Sequence, residues 1–177
     1  VSAEDLYNDR LVGLARARAG EGRLEAPGGA ATLESPLCGD RVTVEVRLAA
    51  GRVETLAHRV RGCVLCEASA SLLGSAAPGC TAEELEAARA TAAALLLDGT
   101  PVPAGPFDAL SAFAPVRAVP SRHACVLLPF DALRAAELQP RWATVAFVLA
   151  FFGFGAKAGM IPLHAWLPEA LPAAPSP

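Results

Sequence analysis

Polar and apolar positions alternate with strict period two through Arg41-Val42-Thr43-Val44-Glu45-Val46-Arg47-Leu48, the pattern of a strand buried on one face. Ala49-Ala50-Gly51 turns the chain, and Arg52 to Val60, with Val53, Leu56 and Val60 apolar, completes a hairpin of weaker alternation. Upstream, Glu21 to Leu37 carries Pro27, Gly28 and Gly29 before Ala31-Thr32-Leu33, a loop leading into a short strand. The simplest account is an antiparallel sheet of two or three strands. Helical patterns surround it. Ala3 to Ala19 reads as an amphipathic helix, with Ser2 as its cap, Glu4 and Asp5 in the first turn and Leu6, Leu11 and Leu14 on the apolar stripe; Gly20 and Gly22 stop it. Val64 to Ala77 suits a second helix that starts right after Cys63. Thr81, with Glu84 three residues on, opens an Ala-rich helix to Leu97, which Asp98-Gly99 ends. After the Pro/Gly loop from Thr100 to Pro106, a short helix is expected over Phe107 to Phe113. A last one runs over Ser121 to Glu137, with Leu127, Leu128, Phe130 and Leu133 for the core.

Beyond Glu137 the pattern changes. Trp142 to Leu167 is nearly continuous apolar sequence, interrupted by Lys157 and His164 and followed by Pro168, Pro172, Pro175 and Pro177. It exceeds the roughly 20 residues that span a bilayer as a helix, although Gly153, Gly155, Gly159 and Pro162 would break a simple rod. The expected organisation is therefore an α+β domain over residues 1–137 and an apolar, Pro-ended tail over residues 138–177. The alternative for the tail is a C-terminal helix docked on the domain.

At 177 residues and 53% hydrophobic content the chain has enough material for one core plus an appendage. A net charge of −3 leaves no broad basic field and argues against a nucleic-acid partner. Five cysteines is an odd number, and the polar, acidic start Val1-Ser2-Ala3-Glu4-Asp5 has no secretory leader pattern. Both point to a reducing cytoplasmic setting, where such thiols are metal-binding or reactive rather than bridged.

Candidate chemistry sits in three segments: Ser35-Pro36-Leu37-Cys38-Gly39-Asp40, Arg61-Gly62-Cys63-Val64-Leu65-Cys66 and Pro120-Ser121-Arg122-His123-Ala124-Cys125. Thiolates are soft ligands for zinc or iron, and a carboxylate completes four-coordination with a less tightly held position. Cys38 and Asp40 flank a Gly turn, so both can face one point. Cys63 stands where a strand gives way to a helix, and helix N–H groups stabilise a thiolate there. Cys125 approaches from the last helix. The competing reading is that these are small buried hydrophobes. Cys66 is a spare ligand, a resolving thiol or a packing residue, with packing favoured. Cys80 reads as structural or exposed, and His58 as a surface strand residue. His123 is a further candidate ligand, and Arg122 a cation that lowers the pKa of a thiol.

At these residues the chain resembles the NifU/IscU family of iron–sulfur cluster assembly scaffolds, and within it the SufU-like branch. The likeness covers about Leu6 to Glu137: Leu6-Tyr7, Pro36-Leu37-Cys38-Gly39-Asp40, Gly62-Cys63 with Ala68-Ser69-Ala70-Ser71, and Arg122 ahead of Cys125-Val126-Leu127-Leu128. The long stretch from Leu97 to Pro120 and the position of Arg122 favour that branch. Two positions depart from the scaffold pattern: Ala124 stands where the scaffold branch usually carries His, with His123 displaced by one, and Cys66 stands where the family commonly has a non-cysteine residue.

The resemblance implies a three-stranded antiparallel sheet packed by helices, with Cys38, Asp40, Cys63 and Cys125 holding Zn2+ or a transient [2Fe–2S] cluster. It further implies persulfide acceptance at Cys125 or Cys63 from a cysteine desulfurase, with delivery to apo iron–sulfur proteins. Any enzymatic role would be that of a zinc-dependent sulfurtransferase. Phe152 to Ala170 is similar to a transmembrane stretch of the antiporter-like subunits of respiratory complex I and membrane hydrogenases, in which a lysine matching Lys157 lies in the proton path. The tail thus reads as a truncated fusion, membrane-associated where it is made. Two other functions stay open: a structural zinc-binding adaptor and a membrane-anchored subunit of a respiratory or hydrogenase complex.

Overall fold

The computed structural model describes residues 6–137 and the single position Leu149. Ser2, the helix start over residues 3–5 and the apolar tail lie outside them. The backbone divides into the units Val1–Gln139 and Pro140–Pro177, and the fold below is that of the first.

Three antiparallel strands, β1 (Gly29–Glu34), β2 (Arg41–Ala49) and β3 (Arg52–Arg61), form one sheet in the order β1-β2-β3. The alternation in β2 is realised as read, with Val42, Val44 and Val46 all buried in the core. Its other face is polar: the Thr32 and Thr43 hydroxyls meet at 2.9 Å, and Arg59 pairs with Glu45 at 3.3 Å. Ala50 and Gly51 both take positive φ, 50° and 77°, the two-residue turn whose twist matches that of its flanking strands.

The weak alternation of β3 has a structural cause. Pairing steps from Arg47↔Thr55 to Leu48↔Val53, so Glu54 is an extra residue in a bulge. Val53 and Leu56 therefore both face the core although three positions apart. From Leu56 onward period two resumes and carries His58 inward, opposite Val44. The expected surface position of His58 is thus corrected: it is 4% exposed, and its Nε2–H donates to the Ala19 carbonyl at 2.8 Å. Two loops cover the outer edge of β3. Residues 20–22 exchange backbone hydrogen bonds with His58, and residues 79–80 do so with Val53.

Helix α1 (Asp9–Ala17) begins later than the apolar stripe suggested. Asn8 caps it by accepting from the Leu11 N–H at 3.0 Å, and its amide donates to the Ala112 carbonyl at 2.9 Å. Both bonds require Asn8 to be extended, so the helical turn at Leu6 is separate from α1. Helix α2 (Val64–Ala76) starts directly after Cys63. Helix α3 (Ala82–Leu97) has the expected reciprocal cap, with Thr81 Oγ1 accepting from the Glu84 N–H and Glu84 Oε2 accepting from the Thr81 N–H.

The short helix expected at Phe107 is a longer 3-10 helix, Asp108–Ala118, which holds Pro115. A 3-10 turn, Pro120–Arg122, then leads into α4, helical over 123–137. The core gathers Leu11, Leu65, Leu73, Leu96, Phe113 and Leu133 around the three β2 valines, each large side chain contributing about 1.5–3 kcal/mol on burial. Helix α4 is tied in by polar contacts as well: Ser69 Oγ donates to the Val126 carbonyl at 2.6 Å, and Arg89 of α3 pairs with Asp131 at 2.6 Å. No helix among the described residues is long and apolar enough to cross a membrane.

Candidate metal centre

The β1–β2 connection is organised by Ser35, whose side chain is buried. Its N–H donates to the Asp40 carbonyl at 2.8 Å, its carbonyl accepts from the Gly39 N–H at 2.9 Å, and its Oγ lies 3.5 Å from the Cys38 N–H. Gly39 takes φ 73°, a left-handed conformation that costs a residue without Cβ little. The turn so closed brings Cys38 and Asp40 together with Cys125, their ligand atoms all within 4.8 Å of one another.

Cys63 arrives from the end of β3 as the N-cap of α2, extended at φ −80° and ψ 164°. It occupies both oxygens of Asp40: its N–H donates to Oδ1 at 3.1 Å and its thiol to Oδ2 at 3.2 Å. Those bonds satisfy a carboxylate that is only 5% exposed. Cys125, in the first turn of α4, donates its thiol hydrogen to Cys38 Sγ at 3.4 Å. The three segments singled out in the sequence therefore meet at one place.

Without a cation the thiols of Cys63 and Cys125 hold their protons. Burial pushes the Cys63 thiol up, and the neighbouring Asp40 charge adds to it. Cys125 is pushed up by burial and then by its bond to Cys38 and the proximity of Cys63. The Arg122 guanidinium is held in the charged form first by its approach to Cys125 and then by the proximity of Cys63. Cys38 and Cys63 are half-buried, whereas Cys125 is fully covered.

The remaining expected residues divide. Cys66 is fully buried; burial raises its thiol, followed by the proximity of Asp40, Cys63, Cys125 and Cys38, so it lies near the whole group. Cys80 is structural, buried beside β3 with its thiol donating to the Ala76 carbonyl at 3.3 Å. His123 is not brought into the group: its Nε2 lies 3.3 Å from the Arg117 carbonyl. Sequence reasoning missed Ser35 and Gly62. A Cβ on Gly62 would fall 2.7–2.9 Å from Asp40, and the only signal was their place inside the quoted motifs.

The family profile of the NifU-like N terminal domain matches residues 6–121. A crystal structure of a nitrogen-fixing NifU-like protein (N-terminal) from Brucella abortus is similar at 39% identity and a TM-score of 0.74, covering 77% of this chain and 95% of that one. A Fervidobacterium islandicum AW-1 protein assigned to iron–sulfur cluster assembly in the SUF system shares the fold, with 20% identity and a TM-score of 0.69 over 76% of this chain and 98% of that one. The iron-sulfur cluster assembly scaffold protein IscU 1 of Archaeoglobus fulgidus is 28% identical over 96 residues, which are 54% of this chain and 63% of that protein.

A second profile, NADH:quinone oxidoreductase/Mrp antiporter, TM, matches residues 127–177. Hydrogenase-4 component B of Escherichia coli (strain K12) is 63% identical over 49 residues, 28% of this chain and 7% of that protein. The chain thus spans less than two thirds of the length of IscU 1 and of hydrogenase-4 component B alike. The second match starts inside α4, yet Leu128, Phe130, Leu133 and Ala136 of that helix are buried in the core built by the first. Residues 127–137 are therefore structurally part of the α+β unit, and the chain belongs to the NifU-like N-terminal domain family.

Proposed function

We propose that residues 1–137 form an iron–sulfur cluster assembly domain that binds a metal ion or nascent cluster through Cys38, Asp40, Cys63 and Cys125. In this reading it accepts persulfide sulfur from a cysteine desulfurase and serves apo iron–sulfur proteins as recipients. The observation that carries it is the meeting of three thiols and one carboxylate from three separate segments. The donor set suits Zn2+ or iron–sulfur cargo, because soft sulfur dominates it. Its thiol–thiol and thiol–carboxylate hydrogen bonds hold the protons that a bound cation would replace.

When bound, zinc would keep the cysteines as thiolates, the nucleophilic form. Asp40, the harder and weaker ligand, is assigned as the labile one. Arg122 steadies negative charge on Cys125. Of the two acceptor candidates, Cys63 has the support of partial exposure, while Cys125 must first be uncovered. Leu37, 79% exposed, and Val64, 36% exposed, adjoin Cys38 and Cys63, and give an incoming protein apolar surface beside the sulfurs.

Metal and acid-labile sulfide analysis of anaerobically purified protein tests this reading. Zinc without sulfide selects sulfur transfer, iron with sulfide selects scaffolding, and binding that survives Cys38→Ser and Cys125→Ser together overturns both. Asp40→Ala is expected to hold metal or cluster longer and to slow hand-off; unchanged transfer would count against the role given to Asp40.

A second reading concerns residues 138–177 and rests on the antiporter match. There the tail is an apolar, Pro-ended membrane segment appended to the domain, with Lys157 as its costly intramembrane charge. Truncation after Glu137 then leaves metal binding and sulfur uptake intact and abolishes sedimentation with membranes. Identical sedimentation of the two forms removes the anchor role.

A further inference from the structure

We propose that Cys66 is a built-in reductant for this site: it attacks a persulfide on Cys63 and releases the outer sulfur as sulfide. The step rests on the sulfur-acceptor reading above. A persulfide carries sulfur at the zero-valent level, whereas a cluster needs sulfide, so two electrons must come from somewhere.

Cys63 caps α2 and Cys66 lies three residues on, inside its first turn. Residues at that spacing are neighbours on a helix surface, and a Cys-x-x-Cys pair at a helix start is the arrangement of dithiol redox sites. Two observations separate Cys66 from an ordinary packing residue. Burial raises its thiol, and the groups near enough to add to that rise are the four of the site, Asp40, Cys63, Cys125 and Cys38. It is also fully buried while Cys63 is half-buried, which gives the pair one outer and one inner sulfur.

The difference in exposure sets the order of events. A sulfur donor reaches half-buried Cys63 and cannot reach Cys66, so the new sulfur is carried by the outer member of the pair. The Cys66 sulfur then bonds to Cys63 Sγ from beneath. The bond between Sγ and the outer sulfur breaks, and that sulfur leaves as HS⁻ with the proton of the Cys66 thiol. The outer sulfur gains two electrons and the Cys63–Cys66 pair loses them in becoming a disulfide. A single turnover needs no other reductant; later ones need an external dithiol to reopen the disulfide. Cys38 and Cys125, with sulfurs 3.4 Å apart, supply the rival route.

The test is one anaerobic turnover of the reduced, metal-free full chain with glutathione persulfide as the donor. Excess donor is removed, released sulfide is measured, and cysteine linkages are mapped by peptide mass spectrometry. The native chain is expected to release about one sulfide per sulfur taken up and to show the Cys63–Cys66 disulfide. Cys66→Ala and Cys66→Ser are expected to keep the extra sulfur on Cys63 and to release sulfide at least about tenfold more slowly. Release from the variants at the native rate, a disulfide between Cys38 and Cys125, or sulfur carried on Cys125 each overturns the proposal alone. Failure of native chain and variants alike to gain sulfur overturns the acceptor reading and this step with it. The linkage map of the native chain decides the matter even if a variant does not fold.

Discussion

Gly62 and Asp40 share a space that holds only one of their side chains. A Cβ at position 62 would stand 2.7 Å from Asp40 Cγ and 2.8 Å from Oδ1. The bare backbone there lets the carboxylate lie across the end of β3 and take both the N–H and the thiol of Cys63. A carboxylate from one loop is thus positioned by the absence of a side chain in another.

Gly62→Ala is therefore expected to push Asp40 off Cys63. The metal-free domain should lose about 1–3 kcal/mol in urea unfolding, since a half-buried N–H loses its carboxylate acceptor. Asp40→Ala should cost a similar amount, and the double variant no more than either alone, because both break one interaction. Full additivity would show that Gly62 acts elsewhere.

Much of this architecture was legible because its signals were local. The β2 valines, the Thr81–Glu84 cap and the start of α2 behind Cys63 each follow from a few adjacent residues. The three cysteine segments were legible as motifs, although what joins them is tertiary. What stayed hidden depended on partners distant in sequence. The bulge at Glu54 exists only against Arg47 and Leu48 of β2, and without it the inward turn of His58 cannot be read. Asn8 interrupts the first helix because Ala112 offers it a carbonyl. The close fit of Gly62 over Asp40 leaves no periodic trace at all.

Ser69 and Ser71 are buried polar residues with opposite roles, and truncation should separate them. Ser69 Oγ donates to the Val126 carbonyl next to Cys125, while Ser71 Oγ accepts the Ala19 N–H at 3.0 Å. Carbonyls tolerate the loss of one donor better than an amide tolerates the loss of its acceptor. Ser71→Ala is expected to cost about 1–3 kcal/mol and Ser69→Ala about 1 kcal/mol. Urea midpoints at a common m-value would check the order, and a larger loss for Ser69→Ala would reverse the argument.

His58 makes stability depend on pH. Burial lowers its pKa below the ordinary 6.5, against the raising effects of its bond to Ala19 and the charge of Glu21. Arg18, Glu21 and Glu67 line the small cavity of about 30 Å³ on which the ring borders. The unfolded chain takes up a proton at His58 before the folded one does, so stability is full above pH 6.5 and falls as pH drops toward the lower folded value. His58→Gln, which keeps a donor for Ala19 and does not titrate, should flatten the profile between about pH 7 and 5. A native profile as flat as that of the variant would mean that the ring is not held neutral.

Removing metal separates a transfer site from a structural staple. The core is built from α1 to α4 and the inner face of the sheet, and the site closes on its own hydrogen bonds when no cation bridges it. Chelation should therefore leave helical content and cooperative unfolding intact and lower Tm by no more than mass action requires, about 3 kcal/mol for ligand at a hundred times its Kd. The loop at Ser35 to Asp40 should respond most, with faster amide exchange at Gly39, because its side-chain anchors to the rest of the domain are Asp40 on Cys63 and Cys38 against Cys125. A structural zinc adaptor behaves otherwise: its binding energy is its folding energy, and chelation unfolds it. Loss of the cooperative transition on chelation would decide for the adaptor and against sulfur transfer.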